Sequence, residues 1–152
     1  MAGQGLMYNF SMPATASGTA AVDVMVLGTT ASVPALVHEI RLTAAQTVDT
    51  RINLQVCRRT AAPTGGTTVT GKPLNKRNTV AAASTFTYLD TTPGTIGDIL
   101  ENEQWSELVP FSRIYTPDER IYILVSGWLA LFFATAPGAS VTMSGNMVAE
   151  EL

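Results

Sequence analysis

The sequence predicts an all-β fold, a two-sheet antiparallel sandwich of jelly-roll or Greek-key type with about eight strands. Three observations carry this. Apolar residues recur with a period of two rather than 3.6, which places one row in a core and the other toward solvent or a partner. Short polar stretches rich in Gly, Pro and Thr separate the apolar runs, as antiparallel sheets require. The middle of the chain carries long crossing loops, the mark of two sheets joined by Greek-key connections.

The elements follow in order. Residues 1–20 are rich in Gly, Ser, Ala and Thr. They are expected to form an N-terminal arm, flexible or interface-forming, ahead of a sandwich domain over residues 21–152. Within the arm Tyr8, Phe10 and Met12 alternate before Pro13. In 21–27, Val22, Val24 and Val26 make one row against Ala21, Asp23 and Met25. In 36–42, Leu36, His38 and Ile40 make the expected inward row. In 51–59, Ile52, Leu54 and Val56 point one way. Residues 60–78, with Pro63, Gly65, Gly66, Gly71 and Pro73, read as a long loop crossing the surface. Strand chemistry returns over 79–89 with Val80, Phe86 and Tyr88.

Residues 96–103 are the one stretch with a plausible helical turn, where Ile99 and Leu100 would cap the sandwich. Thr116-Pro117-Asp118-Glu119 reads as a tight turn with Pro at its preferred second position. The apolar run 121–134 splits at Ser126-Gly127 into two strands, and Pro137-Gly138 precedes a last one. These three strands are expected to form a meander. After Gly145 the alternation shifts, which suggests a bulge or a close backbone approach. The expected core includes Ile52, Leu54, Val56, Ile123, Val125 and Val141.

Composition limits the function. The chain has 152 residues, enough for one domain with a sizeable core. Charged residues are 14%, against roughly 25% in typical domains. Thr, Ser, Ala and Gly replace them, which suits faces that lie against neighbours. The net charge is −3, and the one basic cluster is Lys72, Lys76 and Arg77, with Arg58 and Arg59 nearby. Phosphate contacts need cations in number on one face, so a nucleic-acid partner is not expected. Residues 1–9 do not read as a signal peptide, and 121–134 is too short for a membrane span. No membrane partner is expected.

The inventory of reactive groups is small. Cys57 is the only cysteine, so it forms no internal disulfide and builds no Cys-rich metal site. His38, the only histidine, sits on an apolar strand without an evident nucleophile or orienting acid. Asp98, Glu101, Glu103 and Glu107 cluster, and such a group suits an acidic turn, a calcium site or paired glycosidase acids. The acidic turn fits best, because calcium-loop spacing and surrounding aromatics are missing. Gly65-Gly66 lacks the pattern of a phosphate-binding loop. Neither catalytic residues, metal ligands nor a cofactor are expected, and the chain is read as a non-enzyme.

A resemblance adds to this. The segment His38-Glu39-Ile40-Arg41-Leu42-Thr43 is followed by a strand ending in Cys57-Arg58-Arg59. Next come Gly65-Gly66-Thr67 and Lys72-Pro73-Leu74-Asn75, then Tyr115-Thr116-Pro117-Asp118-Glu119-Arg120. The chain closes through Ala136-Pro137-Gly138-Ala139-Ser140-Val141-Thr142-Met143-Ser144-Gly145. Over roughly residues 36–152 this resembles a family of small virion structural proteins of tailed bacteriophages and prophages. The resemblance implies a jelly-roll decoration (cement) protein on the capsid surface, made in the host cytoplasm. Its implied partners are the major capsid protein and sister subunits, as a homotrimer. Trp128, Leu129, Phe132 and Phe133 lie in a run more apolar than the family pattern, so their strand is expected at an interface. Tyr8, Phe10 and Met12 of the arm are expected there too. The alternative is a tail or fibre jelly-roll module that binds host-surface glycans, for which Trp105, Tyr115 and Trp128 are the aromatic candidates.

Overall fold

The computed structural model describes residues 5–47 and 49–152, and among these the fold is all-β with no helix. The strands are β1 (Leu6–Ala16), β2 (Asp23–Gly28), β3 (Ala35–Ala44), β4 (Arg51–Arg59), β5 (Thr67–Val69) and β6 (Lys72–Pro73). They continue as β7 (Thr85–Asp90), β8 (Ile96–Ser106), β9 (Phe111–Ile114), β10 (Ile121–Ile123), β11 (Trp128–Phe133) and β12 (Thr142–Glu151). One sheet runs β10-β3-β12-β1-β6, with β9 also paired to β3. The other runs β5-β7-β2-β11-β4-β8.

An eight-stranded sandwich is visible inside this larger set, although it counts β8, expected as a helical turn, and leaves β7 outside. β10 pairs residues 35–37 of β3, and β9 pairs residues 39–42 along the same edge. Taken as one broken strand, β9 and β10 complete a four-stranded layer with β3, β12 and β1. It faces β2, β11, β4 and β8. Leaving aside the excursion between β4 and β8, the chain changes layer at β1 to β2, β2 to β3, β3 to β4, β8 to β9, β10 to β11 and β11 to β12. That wrapping is the jelly-roll path. The excursion between β4 and β8 adds β5 and β7 beside β2 and β6 beside β1, so both sheets widen at the same side.

A single core fills the space between the sheets. Phe10 stacks on Phe86 at 5.8 Å between ring centroids, and Trp105 on Phe133 at 6.3 Å. Such pairs add to the burial of their apolar area. Ile52, Leu54, Val56, Ile123 and Val141 are buried as expected, whereas Val125 is exposed because β10 ends at Ile123.

Several expectations are corrected, each for a local reason. The predicted arm is not separate from the sandwich. Residues 6–16 form β1, paired to β12 on one side and β6 on the other. Tyr8, Phe10 and Met12 alternate because their side chains are core. Residues 1–4 of the arm lie outside the described residues. The predicted helical turn is the long edge strand β8: its run of backbone pairs with β4 gains more than one isolated helical turn would. Its adjacent apolar pair Ile99-Leu100 marks a register shift opposite Val56 and Cys57. The meander is absent, since β10, β11 and β12 lie alternately in the two sheets.

Bulges account for the misread phases. In β3 the register against β12 slips between Val148 and Ala149, so His38 and Glu39 both leave the core row. In β2 a slip against β11 puts Val24 and Met25 together in the core and turns Val26 outward. In β12 there is no phase change. Val141, Met143, Met147 and Ala149 stay on one inward row, and the extra residue sits in β1 between Met12 and Thr15. Gly145 lies on that inward row as a close approach: a Cβ there would stand 2.5 Å from the Arg41 carbonyl oxygen.

Candidate functional site

The residues expected at an interface are mostly occupied within the chain. Tyr8, Phe10, Met12, Leu129 and Phe133 are buried in the core and cannot face a partner. The outward row of β11 is also covered. Phe132 packs with Val26, Cys57 and Ala130 on the outer face of the sheet, and the Arg59 guanidinium lies 4.4 Å over its ring. Trp128 is half-buried at the rim of this small cluster. Alternation alone cannot show this covering: Ala21 and Ala134 pack against the cluster, and Ala62 and Pro63 of the loop after β4 lie beside Val26 and Trp128. The Thr64–Thr92 bridge ties that loop to the one after β7.

The reactive groups are likewise engaged. His38 Nε2 lies 3.2 Å from Glu150 Oε2 on the outside of its sheet. Cys57 is a free, buried thiol, and burial pushes its pKa up to about 11. Trp105 is buried and donates from Nε1 to the Val109 carbonyl at 2.7 Å. Among the described residues, no group of three His, Cys, Asp or Glu side chains converges as metal ligands do.

The acidic cluster has a definite structural place. Asp98, Glu101 and Glu103 lie on β8, at the open side of the sandwich where β8 of one sheet approaches β9 and β10 of the other, whereas Glu107 is buried just past the strand. Arg113 on β9 spans the gap. Its Nε donates to Glu101 at 2.6 Å and its Nη2 to Glu103. Tyr115 donates its hydroxyl to the other Glu101 oxygen at 2.8 Å. Burial first, and then this bond to a carboxylate, raise the Tyr115 pKa far above its ordinary range. Arg58 of β4 crosses the same gap to the Tyr122 carbonyl at 2.7 Å. Glu101 and Glu103 thus accept from one guanidinium, and Glu101 accepts from Tyr115 as well. Their arrangement clamps the two sheets together.

Around this clamp lies an open groove of about 600 Å³. Leu100, Ile114 and Tyr122 supply its apolar wall, and the buried Arg120 Nε has no hydrogen-bond partner among the described residues. Exposed apolar side chains continue beyond it. Ile99 is 51% exposed and Leu124 64%, beside the 68% exposed Ile114 of the groove wall. This rim is hidden in the sequence because 96–103 reads as a helical turn. The available signal was the alternation of carboxylates at 101 and 103, which is a strand pattern.

The chain matches no protein-family model, no curated protein and no solved structure.

Proposed function

We propose that the protein is a virion structural protein that works by contact, a decoration protein that binds the major capsid protein and copies of itself on a phage head. The observation that supports this reading best is the apolar rim along β8, β9 and β10. Contiguous exposed apolar surface marks association sites, and here it flanks a jelly roll whose histidine, cysteine, carboxylates and arginines are largely tied into structural contacts. The motif resemblance over residues 36–152 supplies the virion context.

The mechanism is mechanical. A rigid two-sheet body adds interfaces that exist only in the assembled shell. Binding the assembled state and not its parts stabilises the shell by mass action. The test is binding of the purified protein to capsid shells of the virus that encodes it, with imaging of shells before and after addition. Added density on the shell and slower shell disruption are expected. Localisation to tails, or capture on host glycans without shell binding, would overturn the reading in favour of a tail or fibre module.

A further inference from the structure

We propose that copies of this chain associate head to tail, the basic β6 edge of one sandwich seating on the acidic, apolar β8–β10 edge of the next. The proposal deepens the self-association part of the function above, and it does not depend on which shell protein is bound.

The two edges lie at opposite sides of the molecule. β6 and β5 end their sheets on one side, and β10 and β8 end the same sheets on the other. The charges divide the same way. Lys72 and Lys76 are the only lysines in the chain, and with Arg77 they fall in β6 and the turn that follows it. No carboxylate occurs from residue 60 to residue 89. On the far side, the stretch from Asp98 to Glu119 holds six of the twelve carboxylates; Glu107 is buried, and the other five stand beside the three arginines of the groove, Arg58, Arg113 and Arg120, so this edge keeps a net negative charge. Arg113 is already held by Glu101 and Glu103. Asp98 and Asp118 are exposed and make no ion pair among the described residues. The same holds for Lys72, Lys76 and Arg77.

Each charged edge also carries apolar surface. Leu74 and Val80, 54% and 58% exposed, flank the basic turn. Ile99 and Ile114 flank the acidic one. Complementary potentials set the orientation of encounter and suppress like-with-like docking. An acidic edge meeting its own copy would bring carboxylates together, so a twofold contact is disfavoured. A contact between unlike edges on opposite sides is heterologous. It leaves a free edge at each end of a dimer, and it continues until a ring closes or a filament forms.

The experiment is multi-angle light scattering of the full chain across ionic strength, with two charge-reversed proteins. One carries Lys76→Glu and Arg77→Glu, the other Asp98→Lys and Asp118→Lys, all at exposed positions. Circular dichroism checks the fold. At low salt the unaltered protein should give species of at least three copies, and the mass should fall as salt screens the contact. Each altered protein alone should give the one-copy mass. An equimolar mixture should reassociate, because the intact acidic edge of one meets the intact basic edge of the other. A monomer at low salt, a discrete twofold dimer, or altered proteins with unchanged mass would overturn the proposal. Shell binding by an unaltered but monomeric protein would sink this inference while leaving the decoration reading in place.

Discussion

Asp23 and Arg59 form an ion pair with both side chains wholly removed from solvent, on the outer face of the β2–β11–β4 layer rather than in the main core. The second Asp23 oxygen accepts from the Gly94 N–H at 3.1 Å, and the guanidinium covers Phe132. Asp90, paired to Asp23 across β2 and β7, accepts from the Gly66 N–H at 3.1 Å and from the Thr87 hydroxyl at 2.6 Å. Strand alternation would put Asp90 on the core row of Phe86 and Tyr88. Leu89 between them has a left-handed backbone, φ 52°, which turns Asp90 out to meet Thr87. These acids therefore pin the loops around Gly66 and Gly94 onto the sheet.

Breaking that pair should cost much more than replacing it. Arg59→Met leaves Asp23 buried without its cation, and a loss of about 3–5 kcal/mol is expected for an orphaned buried charge. Adding Asp23→Leu should recover a large part of the loss, because no charge then remains to be desolvated. Urea unfolding of the single and double variants forms the cycle. Equal stability of Arg59→Met and the double variant would show that the ion pair is not what holds the loops.

The same acids set a pH dependence with a definite sign. Burial raises the Asp90 pKa above 3.8, and the hydrogen bonds from Thr87 and Gly66 oppose the shift only in part. Asp23 is raised first by burial, opposed by Arg59 and the Gly94 N–H, and raised further by the charge of Asp90. A carboxyl with a raised folded-state pKa binds more protons folded than unfolded. Its contribution is fully present below the unfolded value and is lost as pH rises through the folded one. Asp90→Asn removes one such group and relieves the other. Its stability should fall less steeply than that of the unaltered protein as pH rises from about 3.8. Parallel urea midpoints across that range would contradict this.

Much of the sandwich is legible in the residues. Ile52, Leu54 and Val56 alternate cleanly because β4 is regular against β11. Gly and Pro correctly place the loops around residues 63 and 93. Failures fall where strands bulge or where both faces are buried. His38 reads as inward because a slip of one residue near Val148 is invisible in β3 alone. The outward row of β11 looked like a partner surface because its cover comes from loops distant in sequence. The candidate edge was half legible. Its carboxylates stood out, but their joint hold on Arg113 depends on two sheets meeting at one side.

Core membership of β1 reverses the expectation for the N-terminus. Phe10 is fully buried against Phe86, and Gly71 lies so close that a Cβ there would stand 2.4 Å from the Phe10 ring. Phe10→Ala should cost about 3–5 kcal/mol. Deleting residues 1–12 removes most of a strand that lies between β12 and β6, so the shortened chain should fail to fold. Thermal unfolding by circular dichroism reads both. A shortened protein with a native spectrum and an unchanged melting temperature would restore the segment as a dispensable arm.

Cys57 tests the cover over the outer face of the sheet. Its thiol is fully buried with Val26, Ala130 and Phe132, and its pKa rises from 9.0 to about 11, chiefly through burial. Two units mean about 100-fold less thiolate at neutral pH than at the ordinary value, and the thiolate is the attacking form. Reaction with an aromatic disulfide reagent should therefore be slow in the native protein and should reach the unhindered rate only in denaturant. The opening that exposes Cys57 also requires the loops held by Asp23 and Asp90 to lift. Arg59→Met should accordingly speed the reaction under native conditions, before global unfolding is detectable by circular dichroism. A native rate equal to that of a free thiol peptide, or no acceleration in Arg59→Met, would show that the loops do not shield this face.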